Sequence, residues 1–361
     1  MRLALVLAAK GAGRTSPNPL VGAVVVRGGT VVGQGYHRRA GGPHAEIRAL
    51  RQAGERARGA TLYLNLEPCA HFGRTPPCTD SILRAGIGRV VAGMTDPNPL
   101  VSGRGIRKLR RRGVRAEVGL LERECRELNA PFCKYITTGW PFVILKAALS
   151  LDGKIATRAG DSRWISCPAS RKFVHRLRQR MDAVMVGVGT VLRDNPLLTV
   201  RLAGKGPRHP LRIIVDSRLR LPWGAQVVQT AGKVPTLVAA TRAAPSSKLR
   251  RLAGIGIEVL VVRSDGRGQV SLRALMEELA RRGIVSLLLE GGAALNASAL
   301  REGIVDRLLC FYAPKLIGGE TAPGLVGGEG IRRMAEAKAA TIRQVKRLGP
   351  DLLVEWALGG K

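Results

Sequence analysis

The chain has 361 residues, with 59 Lys and Arg against 26 Asp and Glu, a formal charge of +33 at pH 7. Hydrophobic residues make up 45% and charged residues 24%, a composition that excludes a disordered chain, and the length predicts two domains, each with its own core. No apolar run nears the roughly 18 residues that span a bilayer, and the 45 Gly follow no three-residue period, so a helical membrane protein and a collagen are both excluded.

Leu3–Ala9 opens the chain as a short amphipathic helix. It is not read as a signal peptide, because the run stops at Lys10 with no small-x-small site after it; a cytoplasmic protein is expected. Val21–Val26 and Val31–Gly33 read as strands around a Gly28-Gly29 turn, and His44–Ala53 as a helix ended by Gly54. Thr61–Leu66, Val90–Met94 and Val114–Val118 read as strands, with Ser81–Ala85, Arg104–Arg112 and Leu121–Phe132 as helices. Thr137–Pro141 is the candidate linker, dividing domain 1–140 from domain 141–361. Beyond it, strands are expected at Phe142–Ala148, Ala183–Val188, Leu211–Val215, Thr236–Ala240, Glu258–Val262, Ser286–Leu289 and Leu308–Ala313. Helices are expected at Ser170–Gln179, Leu272–Arg281 and Leu295–Glu302. Both halves are therefore α/β. The pentapeptide Pro-Asn-Pro-Leu-Val stands at 17–21 and again at 97–101, read as two active-site loops of similar shape.

The positive charge points first to nucleic acid. Against that, the basic residues are spread along the chain, and aromatics are only 4%, too few for base-stacking platforms. No nucleic-acid and no membrane partner is expected; anionic small molecules suit the charge equally well. Cys69, Cys78, Cys125, Cys133, Cys167 and Cys310 are too scattered for a disulfide framework.

The sharpest pattern is Pro43-His44-Ala45-Glu46, then Glu67-Pro68-Cys69, then Cys78. One His and two Cys are three zinc donors, and three donors leave a fourth place for water, as catalytic zinc does. Water held there is acidic enough to supply hydroxide near neutral pH. Glu46, two residues after His44 at a helix start, reaches that water without ligating the metal. This is the His-x-Glu and Pro-Cys constellation of zinc deaminases. Eight residues separate Cys69 from Cys78, where nucleobase deaminases place two. The insert carries His71, Arg74 and Thr75, polar groups suited to a phosphorylated ligand; a structural zinc with His71 as fourth donor is the competing reading.

In the second half, Ser286–Leu289 runs into Glu290-Gly291-Gly292 ahead of a helix, which offers backbone N–H groups to a phosphate without the Gly-x-Gly-x-x-Gly fingerprint. Gly187–Thr190 and Asp194–Pro196 are expected to form a loop after a strand.

Together, Gly13-Arg-Thr-Ser-Pro-Asn-Pro-Leu-Val-Gly-Ala-Val24, Pro43-His-Ala-Glu46 and Glu67-Pro-Cys-Ala-His-Phe-Gly-Arg-Thr-Pro-Pro-Cys78 resemble the deaminase half of the bifunctional riboflavin-biosynthesis deaminase/reductase family. Lys146-Ala-Ala-Leu-Ser-Leu-Asp-Gly-Lys154, Asp161-Ser-Arg-Trp-Ile-Ser166, Gly187–Pro196 and Leu289-Glu-Gly-Gly292 resemble its reductase half. The resemblance implies a cytidine-deaminase-like α/β/α domain followed by a dihydrofolate-reductase-like α/β domain. It implies zinc on His44, Cys69 and Cys78, a proton shuttle at Glu46, and Asn18 facing a pyrimidine ring. The first reaction would replace the C2 amine of a phosphoribosylamino-diaminopyrimidinone by a carbonyl. The second would reduce ribosyl to ribityl with NADPH. By the same resemblance the cofactor touches Ala148, Trp164, Thr190, Asp194, Ser217 and the run Gly292, Ala293, Ala294, Leu295, Asn296, Ala297 and Ser298. The substrate touches Ser162, Arg178, Leu198, Arg201 and Glu290. Arg178 and Arg201 are suited to bidentate contact with the sugar phosphate, and Trp164 offers either a flat face to the nicotinamide or plain core filling. Lys146 and Asp194 are the candidates for proton delivery. A homo-oligomer is expected. Two other readings stand beside this one: a nucleic-acid or nucleoside deaminase with a basic accessory domain, and a zinc-stabilised nucleic-acid binder without catalysis.

Overall fold

Small residues decide how the first 140 residues pack. The computed structural model describes residues 1–70, 76–204 and 207–358, so His71, Arg74 and Thr75 lie outside the described residues. Unit Met1–Trp140 contains α1 (Arg2–Ala9), β1 (Gly22–Arg27), β2 (Thr30–Tyr36), α2 (Ala45–Ala53), β3 (Thr61–Leu64), α3 (Cys78–Arg84), β4 (Arg89–Ala92), α4 (Arg104–Arg111), β5 (Arg115–Val118), α5 (Glu122–Leu128) and α6 (Ala130–Thr138). The sheet runs β2-β1-β3-β4-β5, antiparallel at β2-β1-β3 and parallel thereafter. Alternation on β1 serves two faces: Ala23 and Val25 pack toward the core that includes α2 and α4, and Val24 packs with Ala4 and Leu7 of α1. A Cβ on Gly33 would stand 2.2 Å from the Ala49 carbonyl oxygen, and one on Gly35 2.6 Å from that of Ala45. Glycine at these two places lets α2 lie directly on β2, which sets where the start of α2 sits.

Unit Pro141–Lys361 contains β6 (Phe142–Leu149), α7 (Pro168–Arg180), β7 (Ala183–Gly187), α8 (Val188–Asp194), β8 (Leu211–Val215), α9 (Gln226–Gln229), β9 (Thr236–Ala240), α10 (Ser246–Gly254), β10 (Glu258–Val261), α11 (Leu272–Arg281), β11 (Ser286–Leu289), α12 (Ala293–Arg301), β12 (Arg307–Tyr312), β13 (Ala340–Leu348) and β14 (Asp351–Leu358). Its sheet order is β10-β9-β8-β7-β11-β6-β12-β14-β13, parallel from β10 to β12 and antiparallel at the last two pairings. The central parallel strands are apolar runs buried on both faces, with Val184, Met185, Ile213, Leu287 and Leu288 fully covered. Buried Asp182 locks β7 to β11 by accepting the N–H of Val285 and Ser286 and the Ser286 hydroxyl, at 3.0–3.1 Å.

Several elements differ from expectation. The single helix expected over 121–132 breaks at Asn129. Pro131 cannot donate in a continuous helix, and the Asn129 side chain instead holds Leu20, accepting its N–H at 2.8 Å and donating to its carbonyl at 3.0 Å. The loop expected at Gly187–Thr190 and Asp194–Pro196 is interrupted by α8, started at Gly187 and stopped by Asn195 in the left-handed region. Strands β13 and β14, and helices α9 and α10, were not anticipated. β13 is an edge strand exposed along nearly its whole length, so it lacks the burial alternation that marks a strand in sequence. All six cysteines are free. Among the described residues no helix is long and apolar enough to cross a membrane.

Candidate active sites

The start of α2 and the start of α3 meet over one cluster. His44 caps α2 in extended conformation, and Cys78 is the first residue of α3. The His44 Nδ1 lies 3.1 Å from the Cys78 sulfur and 3.8 Å from that of Cys69; the Cys78 N–H donates to the Cys69 sulfur at 3.3 Å. One donor atom from each of His44, Cys69 and Cys78 falls within 4.8 Å of the others. The hydrogen bond from Cys78 holds the Cys69 thiol down at about 4, and that same contact, with burial, pushes Cys78 up. An imidazole nitrogen and two sulfurs so placed are a donor set at which a divalent cation takes the place of protons.

Glu46 stands in the first turn of α2, 4% exposed. Burial raises its carboxyl above the usual range, though His44 pulls the other way. Its Oε2 is buried with no hydrogen-bond partner among the described residues. A nitrogen and two sulfurs fit zinc with an open fourth position, and the orphaned carboxylate oxygen is what such a site needs to take a proton from water.

Two supports hold this centre. Glu67, buried two residues before Cys69, accepts N–H groups from Asp96, Gly103 and Ile106 at 3.2, 2.8 and 3.2 Å. It thereby ties the second Pro-Asn-Pro-Leu-Val loop to the strand that delivers Cys69. In the first such loop, Asn18 Nδ2 donates to His37 Nε2 at 3.1 Å, and His37 Nδ1 donates to the Pro43 carbonyl at 3.3 Å. Burial lowers the His37 pKa, which keeps the ring neutral, and the ring packs edge-on against His44 at 5.4 Å. His37 escaped sequence reading because it lies outside the motif. The signal available was rarity, since the chain has only 5 His.

In the second unit a cavity of about 470 Å³ opens at the C-terminal ends of β6, β7 and β11, where ligands of parallel sheets bind. Of the expected residues it brings together Lys146, Ala148, Ser162, Trp164, Arg178, Thr190, Asp194, Leu198, Arg201, Glu290 and Gly292. Ala293–Ser298 continue as the first turns of α12, capped at Gly292. Burial pushes the Lys146 ammonium down, with Glu290 opposing. Burial alone would raise the Glu290 carboxyl, but Arg178 and Lys146 hold it at about 2. Burial raises the Asp194 carboxyl, against Arg163 and Arg193. Trp164 is 57% exposed with the Arg171 guanidinium 4.6 Å over its ring, so it does not fill the core.

Three of the expected residues have polar groups engaged within the fold. Arg178 does not offer a fork to phosphate: its Nε and Nη2 donate to the Glu290 carboxylate at 2.6 and 2.9 Å, and its Nη1 to the Thr199 carbonyl at 3.0 Å. The Ser217 hydroxyl is spent in the fold, donating to Gln269 Oε1 at 3.1 Å and accepting the Val270 N–H at 3.0 Å. Asn296 is fully buried, its amide donating to the Leu325 carbonyl at 2.9 Å, so its side chain supports the Gly291–Gly292 turn from behind. His175, a further lining residue, was missed because no motif contains it.

The first unit thus has the chemistry of a zinc-type hydrolytic deaminase, and the second that of an α/β reductase with its site at strand ends. Comparison with known proteins carries this further. Residues 1–94 match the family model for the cytidine and deoxycytidylate deaminase zinc-binding region, and residues 141–354 that for the RibD C-terminal domain. The chain is 45% identical over 358 residues to the riboflavin biosynthesis protein RibD of Actinobacillus pleuropneumoniae, covering 99% of this chain and 94% of that one. It is 47% identical over 355 residues to that of Aquifex aeolicus, covering 98% and 96%. The solved structure of Acinetobacter baumannii RibD superposes with a TM-score of 0.88 at 36% identity, covering 99% of this chain and 98% of that one. A Thermotoga maritima diaminohydroxyphosphoribosylaminopyrimidine deaminase/5-amino-6-(5-phosphoribosylamino)uracil reductase superposes at 0.86 with 38% identity, covering 99% and 97%.

The chain belongs to the RibD family of riboflavin-biosynthesis enzymes. It is bifunctional, a zinc-binding deaminase domain joined to a pyrimidine reductase domain of the NADPH-dependent type.

Proposed function

We propose that this enzyme deaminates 2,5-diamino-6-(5-phosphoribosylamino)pyrimidin-4(3H)-one and then reduces the product to 5-amino-6-(5-phosphoribitylamino)uracil, with the division between the two activities at Trp140–Pro141. The observation that carries the reading is the His44–Cys69–Cys78 donor set beside the unpartnered Glu46 oxygen. Bound zinc supplies the Lewis acidity that makes water a nucleophile near neutral pH. Glu46 takes a proton from the attacking water and passes it to the departing amine, a transfer suited to a carboxyl whose affinity for protons burial has raised. Asn18, its amide oriented by His37, faces the pyrimidine ring.

NADPH supplies hydride to C1′ of the opened ribose, and the chain binds, orients and delivers the matching proton. Lys146 is the proton donor, its ammonium weakened by burial and fixed beside Glu290. Asp194 is a second acid at the cavity wall. Trp164 would offer its face to the nicotinamide, and Thr190 with the α12 N-terminus from Gly292 onward would hold the cofactor phosphates. With Arg178 committed to Glu290, the sugar phosphate falls to Arg201, whose guanidinium makes no ion pair among the described residues. A cytoplasmic homo-oligomer is our further reading, supported by the open edge at β13, where Ile342 and Val345 are exposed.

The test is an assay that follows ammonia release and NADPH oxidation separately. Ammonia release without NADPH, followed by NADPH oxidation on the deaminated product, is the expected outcome. NADPH oxidation on the diamino compound with no ammonia released would refute the order.

A further inference from the structure

The segment Leu197–Arg201 lines the substrate side of the cavity, yet it belongs to no helix or strand. Its backbone is held almost residue by residue from outside. Arg212 Nη1 donates to the Leu197 carbonyl at 3.2 Å, and Arg178 Nη1 to the Thr199 carbonyl at 3.0 Å. The Val200 N–H donates to His209 Nδ1 at 3.1 Å, and the Arg201 N–H to His175 Nδ1 at 3.2 Å. Leu198, between them, is in the left-handed region at φ 55° and 3% exposed, a conformation a leucine keeps only where its surroundings over-determine it. Arg212 is itself fully buried, with further donors spent on Thr230, Thr236 and the carbonyls of Val227 and Val234.

His175 is the anchor nearest the chemistry. It sits on α7 three residues before Arg178, so both side chains leave the same helix face toward this segment. Its Nδ1 must be unprotonated to accept the Arg201 N–H, and burial together with the Arg178 and Arg201 cations pushes its pKa down to about 4. The ring is thus a neutral acceptor near pH 7, set between two permanent cations without repelling them.

We infer that His175 is a positioning residue of the reductase, holding the backbone of Arg201 so that the guanidinium is pre-placed for the substrate's phosphate. The inference rests on the assignment of Arg201 to that phosphate. The effect of His175 passes through Arg201 and belongs in KM.

A double-mutant cycle separates the two claims. His175→Ala, Arg201→Ala and the double variant are compared for KM, kcat, NADPH dissociation constant by fluorescence, and Tm. His175→Asn is included because its side-chain oxygen can replace Nδ1 as acceptor. The expected result is a KM for the pyrimidine raised roughly fivefold by His175→Ala, the worth of one hydrogen bond. The expectation continues with kcat and NADPH affinity unchanged, most of the loss restored by His175→Asn, and little further effect of His175→Ala once Arg201 is Ala. If Arg201→Ala raises KM but His175→Ala does not, or if the two effects simply add, the inference fails and the phosphate assignment stands. If Arg201→Ala leaves KM unchanged, the assignment and the inference fall together.

Discussion

The two sites of this chain are built on opposite plans. The deaminase centre draws His44, Glu46, Cys69 and Cys78 from a short stretch of sequence and brings them together at two helix starts. In the proposed reading each residue there has one role, dictated by its element: nitrogen and sulfur for the metal, a carboxyl for the proton. The reductase cavity draws on residues from Lys146 to Gly292, and its groups act through one another. Arg178 neutralises Glu290, Glu290 opposes the desolvation of Lys146, and His175 holds Arg201. A site made of ligands fails outright when one is lost, whereas a site made of couplings fails by degrees.

The largest effect is therefore expected in the first domain. Glu46→Gln keeps shape but cannot take a proton, and should cut ammonia release by about 10²–10⁴-fold. Zinc content by elemental analysis and NADPH-dependent reduction of supplied deaminated product should be unchanged; near-normal ammonia release would remove Glu46 from the mechanism. Cys69→Ala goes further in one respect, losing zinc as well as deamination while leaving reduction intact. Full zinc in that variant would break the three-donor assignment.

Lys146→Gln sharpens the contrast from the other side. It should lower reductase kcat by about 10²-fold or more with ammonia release untouched. The pH dependence has a definite sign. Lys146 donates only while protonated, and its pKa is depressed, so reductase kcat should fall as pH rises through a midpoint below the ordinary lysine value. A profile flat up to that ordinary value would exclude Lys146 as the donor.

Arg201→Ala should raise the reductase KM by roughly ten- to a hundredfold, from the 1.5–3 kcal/mol of a charge-assisted hydrogen bond, at constant NADPH affinity. Equal loss in both activities would instead mean damage to the fold. The smallest effect is expected for Trp164→Leu. Losing one stacking face is worth about 1 kcal/mol, which should weaken NADPH binding roughly fivefold in a fluorescence titration. No change would return Trp164 to a structural role.

Much of this was legible in the linear chain, for reasons that differ between residues. The metal donors could be read because zinc selects His and Cys, and Glu46 follows His44 by two residues, where the extended backbone turns into a helix. The strands Leu211–Val215, Thr236–Ala240 and Ser286–Leu289 could be read because doubly buried parallel strands are uninterrupted apolar runs. Such patterns are local: burial and capping write them into neighbouring residues.

What the chain order did not carry was the fate of donors and acceptors. Arg178 looked like a phosphate ligand until the fold set Glu290, 112 residues away, against its guanidinium at 2.6 Å. The Ser217 hydroxyl and the Asn296 amide nitrogen likewise carry the right atoms, but distant partners engage them. His37 and His175 gained their places through tertiary contacts, among them those with Asn18 and Arg201. Residue type and spacing determined which chemistry this protein can perform, because elements and ligands have short-range rules. Which polar groups remained free to perform it was decided by tertiary structure alone, since a hydrogen bond is satisfied by whatever partner folding brings within about 3 Å.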